Sequence, residues 1–317
     1  MPLTVLITDN DLGDSQLERV LLTEALAADV VVRQCRDEDE VVASVREVDP
    51  DAMLVQWAPV TRAVLEAAPR LQIISRFGIG VDMIDGDAAA EHGVAVANVP
   101  HYCVEEVATH AFALGLSLWR RLPQLDAGLR QGRWDAASEA PAIRRLSRST
   151  VGLVGLGRIG RLVADRFASW GCRVIVADPV AGDDGYERVD LDRIADEADL
   201  ISLHAPLLPG TSHLVGGAFL SRCRRRPIIV NTSRGGLIDS ASLARALHEG
   251  VVAAAGLDVF DGEPLAVDDP LRGAPNTLLT PHAAWASEAA LPDLRRETAE
   301  NVVRHFSSAP RGHARQE

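Results

Sequence analysis

The sequence predicts an α/β fold made of two parallel-sheet domains. Short apolar strands alternate with helical segments from the first residues onward, a pattern typical of parallel sheets whose strands are joined by helices. The alternation occurs in two series, separated by a long apolar helix and a polar stretch. A chain of 317 residues is also long enough for two domains, each with its own core.

The first series predicts a small five-stranded domain. Its strands are predicted over residues 5–8, 30–33, 52–55, 73–76 and 94–97. A helix is predicted over residues 15–28, with Ser15 as its N-cap and Glu18 three residues later as a capping partner. The domain is complete by about residue 99, and the final helix, over 287–306, is expected to return to it.

The second series predicts a larger sheet. A helix over residues 104–121, nearly all apolar from 108 to 119, indicates burial at a domain or subunit interface. Six strands follow the polar stretch 131–149 and are predicted over residues 150–154, 173–177, 200–203, 228–231, 253–257 and 277–280. Six strands with intervening helices fit a doubly wound sheet. The predicted domains are therefore 1–99 with 284–317, and 100–283, with disorder from about residue 307.

Composition excludes several classes of function. The chain has 32 basic and 45 acidic residues, a net charge of −13, and every basic residue is Arg. Without Lys, Schiff-base and pyridoxal chemistry and a P-loop are excluded. The negative charge argues against non-specific binding to nucleic acid or to anionic membranes.

Other features predict a cytoplasmic protein without metal. No apolar run approaches the 18 residues of a membrane span, and the N-terminus lacks the basic flank of a signal peptide. The cysteines have no paired spacing, which argues against a zinc site or disulfide framework and for a reducing compartment. They are Cys35, Cys103, Cys172 and Cys223.

A glycine fingerprint predicts a Rossmann-like dinucleotide site. Gly155, Gly157 and Gly160 form Gly-x-Gly-x-x-Gly between a predicted strand and helix, with Arg158 and Ile159 inside the motif. These glycines allow a tight turn, backbone approach to the pyrophosphate and close helix packing, respectively. The next strand ends at Asp178, whose carboxylate favours the ribose hydroxyls of NAD and repels the 2′-phosphate of NADP.

Three further motifs begin where predicted strands end. They are residues 231–239 (NTSRGGLID), 256–265 (GLDVFDGEPL) and 279–285 (LTPHAAW). With the fingerprint, they resemble the D-isomer-specific 2-hydroxyacid dehydrogenase family over nearly the whole chain. The resemblance implies an NAD-binding domain inserted in a flavodoxin-like substrate domain, and oxidation of 2-hydroxy acids or reduction of 2-oxo acids.

The resemblance assigns three catalytic residues. Arg234, Glu263 and His282 match the family's catalytic Arg, Glu and His. A His can give or take a proton near neutral pH, a Glu orients it and favours its charged form, and an Arg clamps a carboxylate with its planar fork. Each residue alone could instead be a surface Arg, a turn acid or a helix-cap His, but their joint occurrence in order argues against that.

The resemblance also extends the cofactor and substrate sites. It places His204, Pro206, Thr232 and Asp258 along the bound NAD, with His204 as a packing residue rather than a catalytic one. The substrate residues it implies are Arg76, Gly78, Ile79, Gly80, Tyr102 and Trp285. Glycines permit close backbone approach to a carboxylate. The alternatives are an exposed strand-end Arg for residue 76, interface packing for residue 102 and a core position for residue 285.

In their details, these motifs most resemble the C-terminal-binding-protein branch of the family. Trp285 would favour a substrate with an apolar side chain. Animal members of that branch are NAD-sensing corepressors, so a protein-binding module with little turnover is the alternative function. The sequence carries no extra signature for formate or phosphite. The resemblance further implies a homodimer through the NAD-binding domains.

Overall fold

The computed structural model describes residues 2–180, 182 and 185–308. The chain divides into two compact units, one of Met1–Cys103 with Ser287–Glu317 and the other of Val104–Ala286. The predicted disorder from about residue 307 falls mostly on residues 309–317, outside the described residues. Up to Ser308, the last helix is continuous.

The first unit contains a five-stranded parallel sheet in the order β2-β1-β3-β4-β5. Its strands are β1 (Thr4–Ile7), β2 (Asp29–Val32), β3 (Ala52–Val55), β4 (Ile73–Arg76) and β5 (Ala95–Ala97). Its helices are α1 (Gln16–Leu26), α2 (Glu38–Val48), α3 (Arg62–Ala67), α4 (Gly86–Glu91) and α11 (Ala290–Ser308). This strand order is that of flavodoxin-like sheets, as predicted.

The sheet of the first unit has an apolar core on each face, as parallel strands with helical crossovers require. Leu6, Met53 and Ile74 point to the face covered by α2, α3 and α4, and all three are fully buried. Val5 and Ile7 point to the other face, which α1 and α11 cover. The final helix thus packs on this sheet.

Ser15 occupies the predicted N-cap position of the first helix, but the predicted capping hydrogen bonds are not formed. The side chain of Ser15 makes no capping hydrogen bond, and its hydroxyl instead accepts from the Asn10 amide at 3.0 Å. Glu18 is fully buried, and both of its oxygens accept from the Arg295 guanidinium on α11 at 2.7 Å. A buried carboxylate takes the stronger, charge-assisted partner, so the predicted capping residue instead ties α1 to α11.

The second unit contains a parallel sheet with seven strands among the described residues, in the order β12-β11-β10-β9-β6-β7-β8. They are β6 (Thr150–Val154), β7 (Arg173–Ala177), β8 (Glu187–Arg188), β9 (Leu200–Leu203), β10 (Ile228–Asn231), β11 (Ala254–Leu257) and β12 (Thr277–Leu279). The helices are α5 (Val104–Trp119), α6 (Leu122–Arg130), α7 (Arg158–Ser169), α8 (Leu191–Glu197), α9 (Gly217–Ser221) and α10 (Ser240–His248). Two sequence-based predictions for this unit, the number of strands and the burial of α5, differ from the structure.

The prediction of six strands missed β8, a two-residue edge strand without the apolar pattern that marks the others. The predicted interface burial of the apolar helix also needs correction. Leu114 and Leu118 of α5 are buried inside the second unit, where α5 packs on α7, β10 and β11. The helix is apolar because it covers one face of the sheet.

Three further observations concern the described residues. No helix among them combines the length and apolar character needed to cross a bilayer. They include no cluster of three or more His, Cys, Asp or Glu side chains suited to a metal ion. The four cysteines are buried free thiols.

The pairing of Glu18 with Arg295 predicts a large loss of stability on truncation. Arg295→Ala would leave a fully buried carboxylate without its guanidinium, at a cost of about 3 kcal/mol in the free energy of unfolding. Arg296→Ala is the matched control, because Arg296 forms an exposed pair with Asp293 that is worth about 0.5 kcal/mol or less. Urea unfolding of both variants measures the difference, and equal losses would contradict the assignment.

Candidate active site

Five predicted site residues of the second unit, and Thr280 of the motif that carries His282, directly follow the carboxyl ends of parallel strands. Gly155 follows β6, Asp178 follows β7 and His204 follows β9, while Thr232, Asp258 and Thr280 follow β10, β11 and β12. Carboxyl ends of parallel strands share one edge of the sheet, which is where ligands bind in open α/β folds. The order reverses at β6, flanked by β7 and β9, so the glycine loop lies at the switch point of the sheet.

Each of the three fingerprint glycines suits its position for a different structural reason. Gly155 has a φ of +93°, and a Cβ there would lie 2.5 Å from the carbonyl oxygen of His204. A Cβ on Gly160 would lie 2.4 Å from the carbonyl oxygen of Gly155, so helix α7 packs directly on the turn. Gly157 faces open space and is the N-cap of α7 without a side-chain cap. The first N–H groups of α7 are therefore available to an anion.

Asp178 is half-buried beside the glycine loop. One of its oxygens accepts from the Leu156 N–H and the other from the Val180 N–H, both at 2.7 Å. These bonds fix the orientation of the carboxylate and leave each oxygen further acceptor capacity. Such a carboxylate suits ribose hydroxyls and opposes a 2′-phosphate.

Two polar atoms support a cofactor at this edge. The Thr232 hydroxyl oxygen and His204 Nδ1 are buried and have no hydrogen-bond partner among the described residues. His204 Nε2 lies 2.8 Å from the Ser202 hydroxyl, and burial lowers the pKa of His204 to about 4, so its ring is neutral. Buried polar atoms without partners are costly unless a ligand satisfies them. The loop, Asp178 and these atoms together fit a dinucleotide.

His282 and Glu263 form a direct pair. His282 Nδ1 lies 2.7 Å from Glu263 Oε2, and the other oxygen of Glu263 accepts from the Phe260 N–H at 3.0 Å. Both side chains are partly exposed, at 27% and 31%. Because a carboxylate only accepts hydrogen bonds, His282 Nδ1 carries the proton that it donates. The ring is thereby oriented, and Nε2 is its other proton-transfer atom.

The charge of Glu263 is well stabilised. Partial burial raises its pKa, but the hydrogen bond and charge of His282, the Phe260 N–H and the charge of Arg234 together hold that pKa below its usual value. Glu263 is therefore a carboxylate throughout the neutral range. The structure thus places Arg234 and His282 close enough for their charges to act on Glu263.

Arg234 is half-buried in the segment that follows β10. Its Nη1 donates to the Ser233 carbonyl at 2.7 Å, and its own carbonyl accepts from the Asn231 side chain at 2.9 Å. The next residue, Gly235, lies against the backbone of Phe260, where a Cβ would be 1.8 Å from the carbonyl carbon. The backbone of the segment that carries Arg234 therefore packs against the backbone of the segment that leads to Glu263.

Asp258 has a structural role that the sequence did not predict. It is fully buried, and its carboxylate accepts from the Thr280 hydroxyl at 2.5 Å and from the N–H groups of Ala283 and Ala284 at 2.9 Å. Its backbone carbonyl accepts from the His282 N–H at 2.8 Å. Asp258 therefore clamps the loop that carries His282, which has a φ of +51°. Its contact with a cofactor stays a prediction.

The substrate residues predicted in the first unit follow β4. Arg76 is 6% exposed and lies 5.3 Å beneath the ring of Trp57. A Cβ on Gly78 would lie 1.3 Å from a guanidinium nitrogen of Arg76, and Gly78 has a φ of +139°. Arg76 is thus a buried cation rather than an exposed strand-end Arg. Tyr102 packs beside the core of this unit, and Ile79 and Gly80 are half-buried.

The remaining predicted residues lie on the second unit. Arg158 and Pro206 are exposed and Ile159 packs partly on the core. Trp285 is half-buried, three residues beyond His282.

Sequence reasoning missed residues that hold the site rather than line it. Asp9 is buried and accepts from the N–H groups of Gln56, Trp57 and Ala58, fixing the loop that carries the Trp57 ring. His110 contacts Thr280 from α5. A lone His in the apolar run of α5 was the sequence signal that could have identified His110.

The comparisons identify the family. The family model described as "D-isomer specific 2-hydroxyacid dehydrogenase, NAD binding domain" matches residues 112–284. A glyoxylate reductase of Korarchaeum cryptofilum is 39% identical over 77% of this chain and 76% of its own length. A D-3-phosphoglycerate dehydrogenase of Mycobacterium bovis is 42% identical over 84% of this chain, which spans about half, 51%, of that relative's length.

A solved structure supports the same assignment. The D-lactate dehydrogenase of Aquifex aeolicus, complexed with NAD and lactic acid, superposes with a TM-score of 0.85 at 29% identity, over 96% of this chain and 95% of that one. Two parallel sheets, a dinucleotide fingerprint and three motifs at the strand ends thus agree with the comparisons. The chain belongs to the D-isomer specific 2-hydroxyacid dehydrogenases, a family of NAD-dependent oxidoreductases.

Proposed function

We propose that this protein reduces small 2-oxo acids to 2-hydroxy acids, and catalyses the reverse oxidation, with His282 as the proton donor and acceptor. The observation that carries the proposal is the 2.7 Å contact between His282 Nδ1 and Glu263, in a segment packed against the one bearing Arg234. It supplies a proton donor, its orienting carboxylate and a cation at the edge where the cofactor loop lies.

Each group has a defined task in the reduction. When bound, NADH would supply the hydride. The carbonyl carbon of the substrate would accept the hydride with its electron pair, and the carbonyl oxygen would accept a proton from His282 Nε2, which would give the 2-hydroxy acid. Glu263 stabilises the imidazolium before transfer. Arg234 binds the substrate carboxylate and polarises the carbonyl beside it.

The first unit is proposed to contribute further substrate binding. The backbone of Gly78, Ile79 and Gly80, with Arg76, would bind the carboxylate, and Tyr102 would donate a hydrogen bond to the substrate. Trp285 would favour an apolar 2-oxo acid side chain. The relatives named above bear the names of enzymes, which supports turnover over a corepressor-like module. Membership of the C-terminal-binding-protein branch stays a prediction.

The proposed assembly is a homodimer, and the proposed location is the cytoplasm. Trp134 is 92% exposed, and Leu122 and Leu129 of the α6 region are 52% and 55% exposed. Exposed apolar side chains grouped in sequence suit a second copy of this chain. Four buried free thiols support a reducing compartment.

The proposed function predicts turnover that depends on two side chains. With NADH and a panel of glyoxylate, pyruvate and longer 2-oxo acids, the wild type should oxidise NADH. His282→Ala should lower kcat/KM by about 10²–10⁴, because general acid catalysis contributes that factor. Arg234→Ala should lose a comparable factor through lost carboxylate binding.

The controls separate catalysis from folding. His248→Ala changes an exposed His of the same unit and should keep wild-type kinetics. NADH binding, followed by cofactor fluorescence, should survive in the His282 variant. Near-normal turnover in both catalytic variants would refute the roles. A wild type that binds NADH tightly but reduces none of the acids would favour the corepressor-like alternative.

Asp178 predicts a preference for NADH over NADPH. Asp178→Asn keeps the shape and an acceptor oxygen but removes the charge that repels a 2′-phosphate. The ratio of kcat/KM for NADPH to that for NADH should rise about tenfold in this variant. Asp192→Asn, an exposed carboxylate of α8, should leave the ratio unchanged. A wild type faster with NADPH would overturn the assignment.

The proposed homodimer predicts a mass of two chains at micromolar concentration in sedimentation equilibrium. The double variant Leu129→Ser, Trp134→Ser removes apolar area from the proposed interface and should shift the protein toward monomer. Val267→Ser is the control, because Val267 is 91% exposed elsewhere in the same unit. A stable wild-type monomer would reject the proposal.

A further inference from the structure

We propose that His110 is a positioning residue for His282, acting through the Thr280 hydroxyl and the buried carboxylate of Asp258. The inference rests on the proposed function, because it concerns the loop that carries the proposed proton donor. It assigns a role to a side chain on α5 that the family motifs at the strand ends do not include.

The contact geometry joins three elements. His110 Nε2 lies 3.0 Å from the Thr280 hydroxyl oxygen and 3.6 Å from Asp258 Oδ1. The Thr280 hydroxyl oxygen lies 2.5 Å from the same Asp258 oxygen. The three residues come from α5, from the end of β12 and from the end of β11.

The direction of the hydrogen bonds follows from counting protons. An ionised carboxylate only accepts, and Asp258 already accepts from the N–H groups of Ala283 and Ala284. The Thr280 hydroxyl has one proton, which it gives to Asp258 at 2.5 Å. Its contact with His110 can then be a hydrogen bond only if Thr280 accepts. His110 Nε2 therefore carries a proton, and the bonds run from His110 to Thr280 to Asp258.

This directed chain restrains the loop around His282. Thr280 lies two residues before His282, and Ala283 and Ala284 follow it, so Asp258 binds the loop on both sides. The carboxylate of Asp258 can accept from all three donors in only one orientation. The Thr280 hydroxyl fixes that orientation, because His110 in turn fixes the hydroxyl. Helix α5 is a firm anchor, because it packs against α7, β10 and β11.

A kinetic experiment separates hydrogen bonding from packing. His110→Leu removes the donor, whereas His110→Gln keeps an N–H near the position of Nε2. We expect kcat to fall about tenfold in the Leu variant, with an unchanged dissociation constant for NADH, and to recover within about threefold of wild type in the Gln variant. His248→Leu, on an exposed part of α10, is the matched control.

A double variant tests the path. Thr280→Val removes the hydroxyl that connects His110 to Asp258, so adding His110→Leu to it should cause no further loss of kcat. Additive losses would overturn the proposed path. A Gln variant as slow as the Leu variant, or a Leu variant with wild-type kcat, would overturn the positioning role.

A spectroscopic readout does not depend on turnover. In protein with ¹⁵N-labelled histidine, the His110 signal, assigned by its absence in His110→Gln, should show a protonated Nε2. That signal should shift in Thr280→Val, because the hydroxyl that accepts from Nε2 is removed. An unprotonated Nε2 in the wild type would overturn the inference even if 2-oxo acids are reduced. Conversely, the protonated Nε2 in a protein that reduces none of the acids would mean that the proposed function alone fails.

Discussion

The buried carboxylate of Asp258 is the interaction on which the rest of the candidate site depends. It lies at the end of β11 and binds the Thr280 hydroxyl and the N–H groups of Ala283 and Ala284, all beyond β12. A fully buried charge is tolerated only when its acceptor capacity is used. The same requirement that keeps Asp258 satisfied therefore forces the loop after β12 into one shape. The His282 ring is presented to Glu263 as a consequence of that shape.

An acidic chain can hold an anion site because charge is needed only locally. The net charge of −13 belongs to the whole chain, whereas Arg234, the cation proposed to bind substrate, is half-buried at the strand edge of the second unit. The absence of Lys costs this chemistry nothing, since planar carboxylate recognition favours the guanidinium fork. The acidic residue Glu263 is paired with His282 through a direct contact of 2.7 Å.

The two-sheet fold and the strand-end positions of the site were predictable because apolar runs and glycine motifs are local signals. Strands 52–55, 73–76 and 200–203 were predicted at their observed bounds, since each is a continuous buried run. Strand β8 was missed because two charged residues at a sheet edge carry no apolar pattern. The structural roles of Glu18 and Asp258 were missed for a different reason. Their partners, Arg295 and the loop after β12, are distant in sequence, and only the fold brings them together.

The backbone at His282 shows why these tertiary bonds matter for chemistry. A φ of +51° is unfavourable for a residue with a side chain and persists only where the surroundings determine it. The surroundings here are the Asp258 carbonyl on the His282 N–H, the Asp258 carboxylate on the N–H groups of Ala283 and Ala284, and Glu263 on the ring. A change at any of these groups would remove a restraint on the His282 backbone or on its ring.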